Sequence, residues 1–173
     1  NNVLAHVPDI NDFMLGISQI LKPKGRASIE FPHLLKMIEG KQFDTIYHEH
    51  YSYLSLNTVR RIAAFAGLDI IKVEELMTHG GSLRVWISKN NQFDIDKSVY
   101  NLLDLEYQAK LEDLSIFDSF RQSALNSKYQ LLEFLINSKI QNKKVMGYGA
   151  AAKGNTFLNF AGIKPDLISA IAD

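Results

Sequence analysis

Apolar residues set the rhythm of the chain from its start. Ile10, Phe13, Met14, Ile17, Ile20 and Leu21 recur at threes and fours, which predicts an amphipathic helix over 9–21. Asp9 is its N-cap, and Pro23 and Gly25 end it. Arg26 to Phe31 is a β-prone run stopped by Pro32, which cannot donate to a ladder. Val3-Leu4-Ala5 reads as a strand end before the helix, so strand, helix and strand alternate as in an α/β sheet.

His33 to Gln42 predicts a brief helix, and Phe43 to Ser55, dense in aromatics and histidines, fits neither period and reads as a functional loop. Asn57 is the expected cap of a helix through Ala66, with Val59, Ile62, Ala63 and Ala66 inward and Gly67 as its left-handed stop. Leu68 to Leu76 and Ser82 to Lys89 predict an antiparallel strand pair turning at Gly80-Gly81, the second strand alternating Leu83, Val85 and Ile87 with Arg84, Trp86 and Ser88. From Asp96 to Asn142 there is neither Gly nor Pro, and helical spacing persists, with one break expected near Leu114 to Asp118. Lys143 to Gly147 returns to a strand, followed by a glycine-bearing turn, a helix through Phe160 stopped at Gly162, and a last strand over 168–173. Both chain ends therefore read as cuts within structure, and the expectation is a fragment of a longer protein.

The chain has 173 residues, 46% of them hydrophobic, with 19 basic and 19 acidic side chains and no cysteine. That length allows one domain or two small ones and supports a packed core. Zero net charge argues against nucleic acid as partner, since such surfaces cluster Lys and Arg. Without cysteine there is no disulfide, thiolate metal site or thiol nucleophile. No signal peptide pattern and no window of 18 apolar residues occurs, so neither secretion nor a membrane span is expected, and a cytoplasmic location is.

The first candidate for chemistry is Tyr47-His48-Glu49-His50-Tyr51-Ser52-Tyr53. An imidazole titrating near neutrality suits proton abstraction, and a carboxylate beside it can orient it. If the loop is extended, His48 and His50 point one way and Tyr47, Glu49 and Tyr51 the other, so Glu49 orients a group across the site. A zinc site is not expected, because two histidines at i and i+2 lack the four-residue helical spacing of the zinc motif. The bland alternative is a loop packed by its own aromatic side chains. His6 follows the first expected strand, where open sheets bind ligands, but taken alone it reads as an ordinary surface histidine.

The second candidate is Lys143 to Thr156, a strand, a GxGxxxxG turn from Gly147 to Gly154, and a helix. Such a turn lets amides and a helix N-terminus approach a phosphate, although its spacing is two residues longer than GxGxxG. Asp173 lies roughly where a dinucleotide fold places its acidic ribose contact. A tight turn without any ligand is the alternative.

Taken in order, Asn2 to Asp9, Tyr47 to Tyr53, Gly80 to Arg84 and Gly147 to Thr156 resemble the S-adenosylmethionine-dependent C-methyltransferases of nucleotide-linked deoxysugars. The resemblance implies an α/β fold: residues 1–95 as the later half of a class I, Rossmann-like methyltransferase domain, 96–142 as a helical linker, and 143–173 as the start of a second Rossmann-like domain that holds the nucleotide-sugar. It also implies that the S-adenosylmethionine loop and a zinc-binding module with cysteine ligands lie outside this chain, which alone is then inactive. The implied reaction methylates the carbon next to the ketone, C-3 of a thymidine-diphosphate-linked 4-keto sugar, after proton abstraction. By the resemblance His50 is the base, Tyr47, Glu49 and His6 are further active-site residues, and Tyr47 or His6 serves the enolate oxygen. Turn chemistry assigns Gly149, Lys153, Gly154 and Asn155 to the substrate pyrophosphate, with Arg84 a further anion contact, although a strand arginine is more often a solvated charge. The competing readings are an NAD(P)-dependent oxidoreductase using the glycine turn with Asp173 on the ribose, and a non-catalytic nucleotide-sugar-binding module.

Overall fold

A computed structural model describes residues 2–149 and 151–173. The chain divides into two compact units, Asn1–Gly40 with His48–Ile116, and Lys41–Tyr47 with Phe117–Asp173.

In the first unit α1 (Ile10–Ile20) is capped as the sequence predicts, the Asp9 carboxylate accepting from Asp12 N at 2.9 Å. β1 (Arg26–Pro32) leads through His33 into α2 (Leu34–Glu39), and α3 (Leu56–Phe65) precedes the hairpin of β2 (Leu68–Leu76) and β3 (Ser82–Lys89). The sheet order is β1-β3-β2, and both pairings are antiparallel. Leu83, Val85 and Ile87 of the central strand are fully buried beside Phe31, Leu56 and Val59, so the alternating apolar face marks the core. α4 (Lys97–Gln108) closes this core with Val99 and Leu102, while Asp96 N and Ser98 Oγ meet the Ile71 carbonyl and Val73 amide of the β2 edge.

Three local expectations change. Leu4–His6 is a 3-10 turn rather than a strand end, because Val3 already has a helical backbone, while Asn2 N reaches β1 at Glu30 O, 2.9 Å away. A short buried apolar run does not distinguish the two outcomes. Ser55, not Asn57, caps α3 by accepting from Thr58 N, and Asn57 sits in the first turn with its amide on Glu112. The helical break falls at 109–113, before rather than within 114–118, with Lys110 at positive φ, and Asp113 caps the next helix through Ser115 N.

That helix, α5 (Leu114–Ile140), runs on into the residues of the second unit. There β4 (Gly147–Tyr148) and β5 (Ile171–Ala172) pair in parallel across α6 (Ala152–Ala161), so a strand-helix-strand crossover is present, with strands shorter than the sequence suggests. Phe43, in a short 3-10 turn, packs its ring edge-on to Phe157 at 5.3 Å and against Phe160 at 5.2 Å, fixing the 41–47 segment on α6. Mixed α/β character is thus observed. Among the described residues no helix is long and apolar enough to cross a membrane.

Candidate functional site

The loop that follows Tyr47 returns to the start of the chain. The Ala5 carbonyl accepts from Tyr51 N at 2.8 Å and Ser52 N at 3.3 Å, so one buried residue pins the loop at two amides. Beside that anchor His6 Nδ1 lies 2.8 Å from the carbonyl oxygen of Glu49. A carbonyl only accepts, so Nδ1 carries the proton and the neutral ring keeps its lone pair on Nε2. The His50 ring stands 4.8 Å from that of His6, tilted by 58°, and the Tyr53 ring meets His50 edge-on at 5.9 Å. Two imidazoles and a phenol, from segments far apart in sequence, thus face one another while half-buried. Such a pair can pass a proton and stabilise charge as it develops.

His48 and Glu49 form a turn, so the alternation expected of an extended loop does not hold there. Glu49 acts on His6 through its backbone carbonyl, and both His48 and Glu49 are exposed. Tyr47 groups with the second unit. Tyr53, which the resemblance assigns no role, joins the site through its ring contact with His50, and its place in the same aromatic motif signals it.

Downstream the loop is locked by the first unit's interior. Leu34 N donates to Leu54 O at 2.9 Å, within an isolated parallel bridge between His33 and Leu54. The His33 ring is fully buried, and its Nε2 lies 2.8 Å from Glu106 Oε1, which also accepts from Leu56 N at 2.6 Å. Glu106 Oε2 accepts from Asn57 N at 2.9 Å, so this carboxylate fills the N-terminus of α3 alongside the Ser55 cap. No local pattern announces this cluster, because its members are 50 and 73 residues apart.

Arg84 Nη2 lies 3.1 Å from the buried Glu30 carboxylate, which also accepts from Thr78 Oγ1, and Arg84 Nη1 lies 3.7 Å from Glu74. Its charge is therefore answered by two carboxylates within the sheet rather than offered to an anion. Glu74 is in turn held below the ordinary carboxylate range, first by its hydrogen bond from Lys72.

In the second unit Gly149 has φ of +95°, a conformation that favours glycine, and its amide donates to Ala172 O. Lys153, Gly154 and Asn155 lie exposed in the first turns of α6, whose N-cap Ala151 supplies no side-chain acceptor. Ala150 of the same motif lies outside the described residues. Among the described residues no group of three or more His, Cys, Asp or Glu is placed to hold a metal ion.

Residues 77–173 match the family model described as C-methyltransferase C-terminal domain. The chain belongs to this C-methyltransferase family. C-methyltransferase NovU of Streptomyces niveus is 31% identical over 160 residues, which is 92% of this chain and 38% of that relative. The chain thus spans well under half of the curated relative it matches. That alignment reaches most of the chain, whereas the family match includes the glycine turn but not His6 or His50.

Proposed function

We propose that the chain is part of an S-adenosylmethionine-dependent C-methyltransferase acting on a nucleotide-linked keto-deoxysugar. The observation that carries the reading is the juxtaposition of His6 and His50, with the His6 ring oriented by the Glu49 carbonyl. A carbon beside a ketone becomes nucleophilic only after it loses a proton, so the site must supply a base and a partner for the enolate oxygen. His50 takes the proton. His6, once protonated at Nε2 as well as Nδ1, or Tyr47, donates to the enolate oxygen. Glu49 fixes the His6 tautomer through its carbonyl.

S-adenosylmethionine would supply an electrophilic methyl group. The described residues of the first unit hold no glycine-bearing strand-to-helix turn suited to its nucleoside, since β1 passes into α2 through His33. The start of α6, whose N-cap Ala151 supplies no side-chain acceptor, lies beside Gly149, Lys153, Gly154 and Asn155 and fits the substrate pyrophosphate, because a helix N-terminus and a cation there favour an anion. Arg84 is left out of that site, as Glu30 and Glu74 hold it.

The test is washout of the C-3 proton into deuterium oxide by the full-length protein without methyl donor. His50→Ala lowers exchange by on the order of a hundredfold or more while circular dichroism is unchanged. Normal exchange in that variant removes His50 as the base.

A further inference from the structure

Resting on the reading of the 48–53 loop as the carrier of the base, we propose that Glu106 is a positioning residue for the His6–His50 pair. Its carboxylate joins three chain segments: His33 just after β1, the Leu56 and Asn57 amides that open α3, and its own helix α4. The first two are the flanks of the His33–Leu54 bridge, and Leu54 directly follows Tyr53, whose ring meets His50. Glu106 therefore sets the register at which the loop leaves the interior, while Ala5 sets where it crosses His6.

A plain helix cap does not account for the arrangement. Ser55 already satisfies Thr58 N, and a buried ionisable side chain is a poor source of stability compared with an apolar one. The carboxylate instead meets donors from separate segments with both oxygens, which fixes their mutual placement. His33 reinforces this dependence, because among the described residues its buried Nδ1 finds no hydrogen-bond partner and its Nε2 is held by Glu106. Removing the carboxylate leaves the imidazole unheld and two helix amides unpaired at the root of the loop.

The experiment compares Glu106→Gln, Glu106→Asp and Ser55→Ala by histidine-ring NMR and thermal unfolding of the full-length protein. Glu106→Gln loses the cross-relaxation between the His6 and His50 rings and shifts both ring signals, although unfolding stays cooperative. Glu106→Asp, which keeps the charge but retracts it by one methylene, shifts them in the same direction. Ser55→Ala lowers the melting temperature and leaves the ring signals in place. Unmoved rings in Glu106→Gln, or equal movement in Ser55→Ala, would overturn the proposal, because destabilisation alone would then explain the effect. Should neither Glu106 variant fold, native-state amide exchange of the unsubstituted protein decides. Leu56, Asn57 and Tyr51 amides open together if Glu106 anchors the loop, and a Tyr51 amide that opens independently sinks the idea. In the full-length protein Glu106→Gln lowers kcat by on the order of tenfold to a hundredfold, with KM for the nucleotide-sugar nearly unchanged. The ring measurement stands whether or not that substrate is correct, so the two readings fail separately.

Discussion

Gly81 closes the β2–β3 hairpin with φ of +120° and ψ of 112°, and its carbonyl accepts from His33 N at 3.0 Å. A Cβ built there lies 2.6 Å from Lys36 Cβ and 2.7 Å from Lys36 Cγ. The Cγ can rotate away, but Lys36 Cβ is fixed to the backbone of α2, so the helix itself must retreat. Ordinary contact begins at 3.4 Å, so Gly81→Ala demands a shift of about 0.8 Å. The backbone conformation costs a residue with Cβ about 1–3 kcal/mol, and the crowding about the same again. The sum, roughly 2–6 kcal/mol, is a large part of the stability of a domain, about 5–15 kcal/mol. Urea unfolding and calorimetry of Gly81→Ala therefore show a fall of melting temperature on the order of 10 °C. The matched control is Gly16→Ala in α1, where nothing lies within 4 Å of the added Cβ and the change gains about 0.5–1 kcal/mol of helix propensity. A Gly81→Ala variant within about 0.5 kcal/mol of the parent would refute the steric reasoning, since the strain term alone exceeds that.

Asp96 caps α4 by accepting from Ser98 N at 2.8 Å, and the hydrogen bonds from the Ser98 hydroxyl and amide hold its carboxyl below the ordinary aspartate range. A depressed carboxyl contributes stability above its unfolded value and loses it as pH falls through the folded value. Urea midpoints of the parent and Asp96→Asn accordingly differ at neutral pH and converge in acid below the ordinary aspartate range, whereas a gap that widens in acid contradicts the sign. Phe43→Ala deletes two ring pairs worth about 0.5–1.5 kcal/mol each. Amide exchange over 155–162 should then quicken by on the order of tenfold or more, and unchanged protection would show that the 41–47 segment does not hold α6.

What the sequence discloses and what it conceals divide by distance along the chain. α1, β1 and the β2–β3 hairpin follow from spacing within a dozen residues, because each must bury one face and the period of that face is printed in its own segment. The same holds for His50 and Tyr53, which share a short motif, and the family pattern brought His6 to them from more than forty residues away. Strand order is different: β3 enters between β1 and β2, a choice settled by packing that no local pattern encodes. The cap of α3 differs from the one its own segment suggests for a related reason. Ser55 and Asn57 are equally good caps by type, and the choice falls to Ser55 because Glu106, fifty residues on, takes the Leu56 and Asn57 amides and leaves Thr58 N for the serine. The groups that would do chemistry are legible because catalysis needs unusual residue types close together. Those that hold them in place are not, because a buried glutamate in a helix reads as any surface glutamate until the fold brings His33 to it. The legible part of such a site is therefore its reactive face, and the concealed part is the register that aims it.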